Sequence, residues 1–194
     1  MHTQSHERYT IRRRMFIFAG ASFDVFDAEG KPIAHCRQKA FKLKEDLRLF
    51  TDADRTTELL AIRARNIIDF SGMYDVTLPT GEVLGSARRK GLRSVLRDEW
   101  TIHGADGSEI ARMREDSQLA ALLRRFVDYA ALLMPEKFSM VRQSDGATLA
   151  TFRTHFNPFV YRLSIAIHLE DPQLDDLVIL AVGCMIAAIE GRQR

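Results

Sequence analysis

The sequence predicts a mainly β protein: a closed barrel of about twelve antiparallel strands around a buried hydrophobic C-terminal helix, with one extra amphipathic helix near 118–134. Three observations predict it. A short β-type run, a turn carrying Asp, Pro or Gly, and a second run recur along the chain, the pattern of consecutive hairpins. The runs number about twelve, more than one flat sheet usually holds before it curls or closes, and closure also removes exposed edges. One segment near the end, Leu177 to Ile189, carries no polar side chain, so it needs apolar material all round it.

In chain order, Tyr9 to Phe18 is the first run. Arg12 to Arg14 ahead of Met15-Phe16-Ile17-Phe18-Ala19 look faintly like a signal peptide. Asp24 and Asp27 interrupt that pattern too soon, so the segment reads as a strand and cytoplasmic residence is the expectation. Ser22 to Asp27 alternates around Phe23, Val25 and Phe26, then turns through Ala28-Glu29-Gly30-Lys31 into Pro32 to Lys39. Leu47 to Thr51 and Glu58 to Arg65 are less sharply marked runs. Met73 to Leu78 turns through Pro79-Thr80-Gly81 into Val83 to Lys90, and Trp100 to His103 turns through Ala105-Asp106-Gly107-Ser108 into Glu109 to Glu115. Lys137 to Arg142 turns through Ser144-Asp145-Gly146 into Ala147 to His155, and Val160 to His168 is the last run. The glycine in each turn supplies the positive φ that such turns need.

Two stretches break the β pattern. In Gln118 to Met134, Leu119, Leu122, Leu123, Phe126, Val127, Ala130 and Leu133 follow helical spacing, with Arg124, Arg125 and Asp128 mostly opposite. Asp116 or Ser117 caps it and Pro135 stops it; packing against the barrel end or wall is its expected place. The second stretch is Leu177 to Ile189. At about 1.5 Å per residue it spans roughly 20 Å, short of a hydrocarbon core of about 30 Å, which favours a protein interior over a bilayer. Asp171, Asp175 and Asp176 stand before it, where carboxylates cap amide groups and suit the helix dipole, and Arg192 and Arg194 stand after it. A twelve-stranded barrel has room for a helix about 10 Å across.

Composition agrees with one globular domain: 194 residues, 46% hydrophobic and 28% charged. The formal charge of +2 gives no global field for nucleic acid, and none is expected as a partner; an anionic partner would be met by a local patch. The two cysteines, Cys36 and Cys184, provide neither a disulfide framework nor zinc spacing.

A series of hairpins closing on a C-terminal apolar helix led in by Asp residues resembles the LURP-one-related proteins, which share the tubby C-terminal and phospholipid scramblase fold. The stretches that carry the resemblance are Phe23-Asp24-Val25-Phe26-Asp27 with Gly30, Met73-Tyr74-Asp75-Val76 with Gly81, and Leu174-Asp175-Asp176 running into Leu177 to Ile189. The resemblance implies a twelve-stranded barrel around a central helix and members that engage phosphoinositides or membranes without covalent chemistry. On it, residues 1–8 form a flexible N-terminal tail and 9–194 a single tubby-like barrel domain whose central helix is 174–190. The Asp-rich calcium loop of calcium-responsive scramblases is not recognisable in Glu170-Asp171-Pro172-Gln173-Leu174-Asp175-Asp176.

Catalytic motifs are not found: there is no Gly-rich phosphate loop ending in Lys-Ser or Lys-Thr, no Gly-x-Ser-x-Gly elbow and no His-Glu-x-x-His. No catalytic residue, metal site or cofactor is expected. His2 and His6 sit in a polar tail, and His35, His103, His155 and His168 are scattered through the strand runs as wall residues. Asp52-Ala53-Asp54 begins like a calcium loop, but Thr57 stands where the loop needs Gly and Arg63 where it needs its closing Glu, so it reads as a turn. The best positive feature is Arg88-Arg89-Lys90 with Arg93 and, beyond it, Arg97. Alternation sends Arg88 and Lys90 to one face and Arg89 to the other. The same residues read as ordinary solvated surface balanced by Asp98 and Glu99, and Arg12 to Arg14 form a weaker second cluster. The leading expectation is a non-enzymatic module binding anionic phospholipid headgroups or a membrane surface through Arg88, Arg89, Lys90 and Arg93, cytoplasmic with peripheral membrane contact. The alternatives are a protein-interaction or regulatory scaffold, and scramblase-like lipid translocation, which would require the last helix to leave the core.

Overall fold

The computed structural model describes residues 7–14, 21–38, 47–54, 56–65, 72–90, 99–115, 137–155 and 160–190. Within them twelve strands and one helix follow in order: β1 (Glu7–Arg14), β2 (Ala21–Phe26), β3 (Pro32–Gln38), β4 (Leu47–Phe50), β5 (Glu58–Ala64), β6 (Met73–Thr77), β7 (Val83–Lys90), β8 (Glu99–Gly104), β9 (Glu109–Glu115), β10 (Lys137–Arg142), β11 (Thr148–His155), β12 (Val160–Ile167) and α1 (Asp176–Glu190). Each strand pairs antiparallel with its neighbours in sequence, and β1 also pairs with β12, so the sheet closes into a barrel. The amphipathic helix expected over Gln118 to Met134 lies outside the described residues.

Four of the expected turns are made as the sequence indicates. Gly30, Gly81, Gly107 and Gly146 have φ of 81°, 89°, 82° and 74°, a region that costs a side chain strain but costs glycine little. Aspartates tie the same turns: Asp27 accepts from the Lys31 amide at 2.7 Å, Asp106 from Ser108 at 2.9 Å and Asp145 from Ala147 at 3.0 Å. Asp52 accepts from the Thr56 and Thr57 amides at 3.0 and 3.2 Å, the turn geometry expected there.

Inside the barrel α1 runs along the axis, and every residue from Val178 to Ala188 is buried. The inward positions of the strands meet it with Ile11, Phe23, Val25, Leu60, Ile102, Met113, Phe152, Leu163 and Ile165, all at most 1% exposed. Clearance is small. A Cβ on Gly85 would stand 2.6 Å from the His103 carbonyl oxygen and 3.2 Å from Val178 Cγ2, and one on Gly183 would run into Ile165 Cδ1. Among the described residues no helix is long and apolar enough to cross a membrane.

Asp175 caps the entry of α1: its Oδ1 accepts from the Leu177 amide at 2.7 Å, and its carbonyl accepts from Val178 at 2.9 Å. Asp176 pairs with Arg8 at 3.0 Å. Asp171 supports the preceding turn, accepting from the Gln173 amide at 2.9 Å and from Arg142 Nε at 2.7 Å. At the other end α1 has no basic residue in its own last turn. The barrel wall supplies one, because Arg13 points inward and donates to the Ala187 carbonyl at 3.3 Å, placing a cation at the negative end of the helix dipole.

Two substitutions test this packing. Gly85→Ala places a methyl against strand backbone that cannot move aside and should lower stability by about 1 to 3 kcal/mol. Asp175→Ala removes the cap and should cost about 1 kcal/mol. Thermal and urea unfolding followed by circular dichroism measures both; an unchanged midpoint for Gly85→Ala would show that Gly85 is not held close against His103 and Val178.

Candidate anion-binding face

Antiparallel order places the two ends of the barrel in different chemistry. At one end lie the turns between β2 and β3, β4 and β5, β6 and β7, β8 and β9, and β10 and β11, and the segment entering α1. Their described residues carry Asp27, Glu29, Asp52, Asp54, Glu82, Asp106, Asp145, Glu170, Asp171 and Asp175 against one lysine, Lys31. Toward the opposite end the described strand residues carry Arg12, Arg13, Arg65, Arg88, Arg89, Arg114, Lys137 and Arg153, with Asp24, Asp75 and Glu99 beside Arg12, Arg65 and Arg114. Among the described residues, charge is therefore separated along the barrel axis. Turn chemistry accounts for much of the acidic end, since several of those carboxylates cap turn amides; nothing in strand geometry asks for the arginines.

Alternation splits the sequence-predicted cluster. Arg88 is exposed and stands outward, opposite Met73 and Thr101. Arg89 turns to the inner side, where its guanidinium lies 6.0 Å over the Trp100 ring, beside Tyr74. Burial raises the Tyr74 pKa and the Arg89 charge works against that rise. The Lys90 side chain and Arg93 and Arg97 lie outside the described residues. The Arg12 to Arg14 run divides in the same way: Arg12 is exposed, 4.4 Å over the Phe26 ring, and Arg13 reaches inward to α1. Neither run presents all its charges to one ligand.

Pairing across the barrel seam assembles basic residues that are distant in sequence. On the outer face Arg12 stands opposite Arg162, and Arg162 opposite His155. One row along, Thr10 stands opposite Ser164, Ser164 opposite Arg153, and Arg153 opposite Lys137. His155 Nε2 and Ser164 Oγ are 2.8 Å apart. Sequence reasoning missed this group; only the closure of β1 on β12 and the register of β11 reveal it.

Two of the remaining wall histidines have partners of their own. His35 Nδ1 is 2.7 Å from Asp24, and His168 Nε2 is 3.0 Å from Thr151 Oγ1. His103 Nδ1 is buried without a hydrogen-bond partner among the described residues. Among the described residues no group of three or more His, Cys, Asp or Glu is placed to hold a metal ion. Cys36 and Cys184 are buried free thiols that share the core: burial, and then the Cys36 charge, push the Cys184 pKa well up.

The architecture is that of a closed twelve-stranded antiparallel barrel filled by its C-terminal helix. The chain belongs to the LURP-one-related family, whose profile matches residues 7–186. An X-ray structure of a protein from Arabidopsis thaliana is similar over 96% of this chain and 95% of that one, with 13% sequence identity and a TM-score of 0.51, a likeness of fold. No curated protein matches the chain.

Burial, foremost, holds both His103 and His155 below the usual histidine pKa. Unfolded, both protonate near pH 6.5 or so; folded, they do so only at lower pH. The fold thus binds fewer protons in that window, and stability present above it falls as pH drops through it. Between about pH 7.5 and about pH 5.5 the Tm of the His103→Gln/His155→Gln variant should fall less than that of the parent; equal falls would place the pH dependence elsewhere.

Proposed function

We propose that the protein is a non-enzymatic module that docks on anionic lipid headgroups at a membrane surface through the basic end of its barrel. The observation that carries this reading is the axial separation of charge. An anionic surface attracts the arginine-bearing end and repels the carboxylate-bearing turns, so the field both binds and orients the molecule. Arg88, with Lys90 and Arg93 beyond it in sequence, belongs to that end. Arg89, packed over Trp100, supports the rim from inside.

A closed wall offers no free strand edge for an added peptide strand, so recognition falls to side chains. The interior is taken up by α1. Lipid translocation by α1 would require this helix of 15 residues to leave a fitted apolar seat and then span a hydrocarbon core longer than itself.

Co-sedimentation of the full chain with neutral and with anionic vesicles, at low and physiological salt, tests the reading. Binding is expected to anionic vesicles alone and to weaken with salt. Arg88→Ala/Lys90→Ala/Arg93→Ala should reduce it by about tenfold or more, at roughly 1 kcal/mol for each basic residue near the surface, with Tm unchanged. Undiminished binding by that variant would remove these residues from the contact. No binding to either vesicle would overturn the lipid reading in favour of a protein-interaction scaffold.

A further inference from the structure

The outer face of β1, β12 and β11 holds an arrangement that folding alone does not favour. Like charges placed directly opposite on neighbouring strands are destabilising, yet Arg12 faces Arg162, and Lys137 faces Arg153. Among the described residues, few carboxylates stand beside Arg12, Arg153 and Arg162. Arg162 pairs with Glu7 at 4.0 Å, the outer limit of an ion pair, and Arg162 Nε is buried without a hydrogen-bond partner among the described residues. Asp24, opposite Arg12 on β2, is engaged by His35. Among the described residues no carboxylate pairs with Arg12 or Arg153. Between the arginines sits Ser164, only 3% exposed, with its hydroxyl 2.8 Å from His155.

We propose that this face is a binding site for a phosphate group, with Arg162 and Arg153 as its charged donors, the Ser164 hydroxyl as its neutral donor, and Arg12 on its flank. Bidentate guanidinium donors suit phosphate oxygens, and an anion between them relieves the repulsion that the free protein carries. His155 is a positioning residue. With Nε2–H donating to Ser164 Oγ, the serine O–H is released to donate to the anion. The site lies on the opposite strand pairings from Arg88, and it stands whether or not the barrel docks on vesicles.

The His155 ring reports occupancy. Burial, then Arg162 and Arg153, lower its pKa, while Glu7 raises it; a polyanion seated between the arginines reverses their effect. The His155 ring protons of the full chain, titrated by NMR with and without inorganic pyrophosphate, should show a saturable upward pKa shift of about half a unit or more. Arg153→Gln/Arg162→Gln should weaken pyrophosphate binding at least tenfold, and Ser164→Ala should weaken it while leaving the arginines in place. Arg88→Ala should bind pyrophosphate as the parent does. No shift in the parent, an equal shift in the double arginine variant, or loss of binding in Arg88→Ala would each overturn the site. Phosphatidylcholine vesicles doped with phosphatidic acid identify the source of the phosphate: a His155 shift with vesicles assigns the site to a lipid headgroup, and a shift with pyrophosphate alone assigns it to a soluble phosphate compound.

Discussion

Enclosure of an apolar helix by a closed wall is the constraint on which the other features depend. From Val178 to Ala188 the helix has no side that faces water, so each strand must present an apolar inner face and the sheet must close. Closure makes β1 and β12 partners, although they lie near opposite ends of the sequence. Seating at short range explains why Gly85 and Gly183 carry no side chain where they meet the opposing atoms. It also explains the treatment of the helix ends. Asp175 and Asp176 satisfy the entry, and the exit takes its cation from the wall, through Arg13.

With the interior committed to packing, chemistry is confined to the outer face and the rims. There the distribution of charge is uneven on two scales. Among the described residues, carboxylates gather in the turns at one end and arginines toward the other. Within the basic half, Arg12 opposes Arg162 and Arg153 opposes Lys137 across strand pairs, juxtapositions that cost stability. The first feature acts at the range of a Debye length and orients the molecule; the second acts at hydrogen-bond range and selects a group. Surface arginines are ordinary when each has a carboxylate, as Arg65 has Asp75 and Arg48 has Glu58. Among the described residues, Arg12 and Arg153 have no such ion pair.

Much of the fold is legible in the sequence because its signals are local. Asp or Pro with Gly between alternating runs marks Gly30, Gly81, Gly107 and Gly146, and all four adopt the expected backbone. Val83–Lys90, Glu109–Glu115 and Lys137–Arg142 are strands with the bounds their patterns suggest. The segment Leu177 to Ile189 is legible as a core helix since a run of that length and uniformity has few other uses. The candidate site is less legible. Alternation separates Arg88 from Arg89 correctly, but contiguity in sequence makes such runs conspicuous without making them converge. The meeting of Arg12, Arg162, His155 and Arg153 depends on barrel closure and on the register of three strands, information that no single run contains. The shared environment of Cys36 and Cys184 is hidden for the same reason.

The order of the elements has a consequence for biosynthesis. A ribosome releases all twelve staves before the plug that fills them, and the seam between the first stave and the last is among the later pairings that can form. Until α1 emerges, a nascent barrel has an empty centre lined by Phe23, Leu60 and Phe152, side chains that seek any apolar surface within reach. The interval between the synthesis of β12 and the release of α1 is therefore when this protein is most exposed to mispairing, and sequence-distant contacts of this kind form slowly.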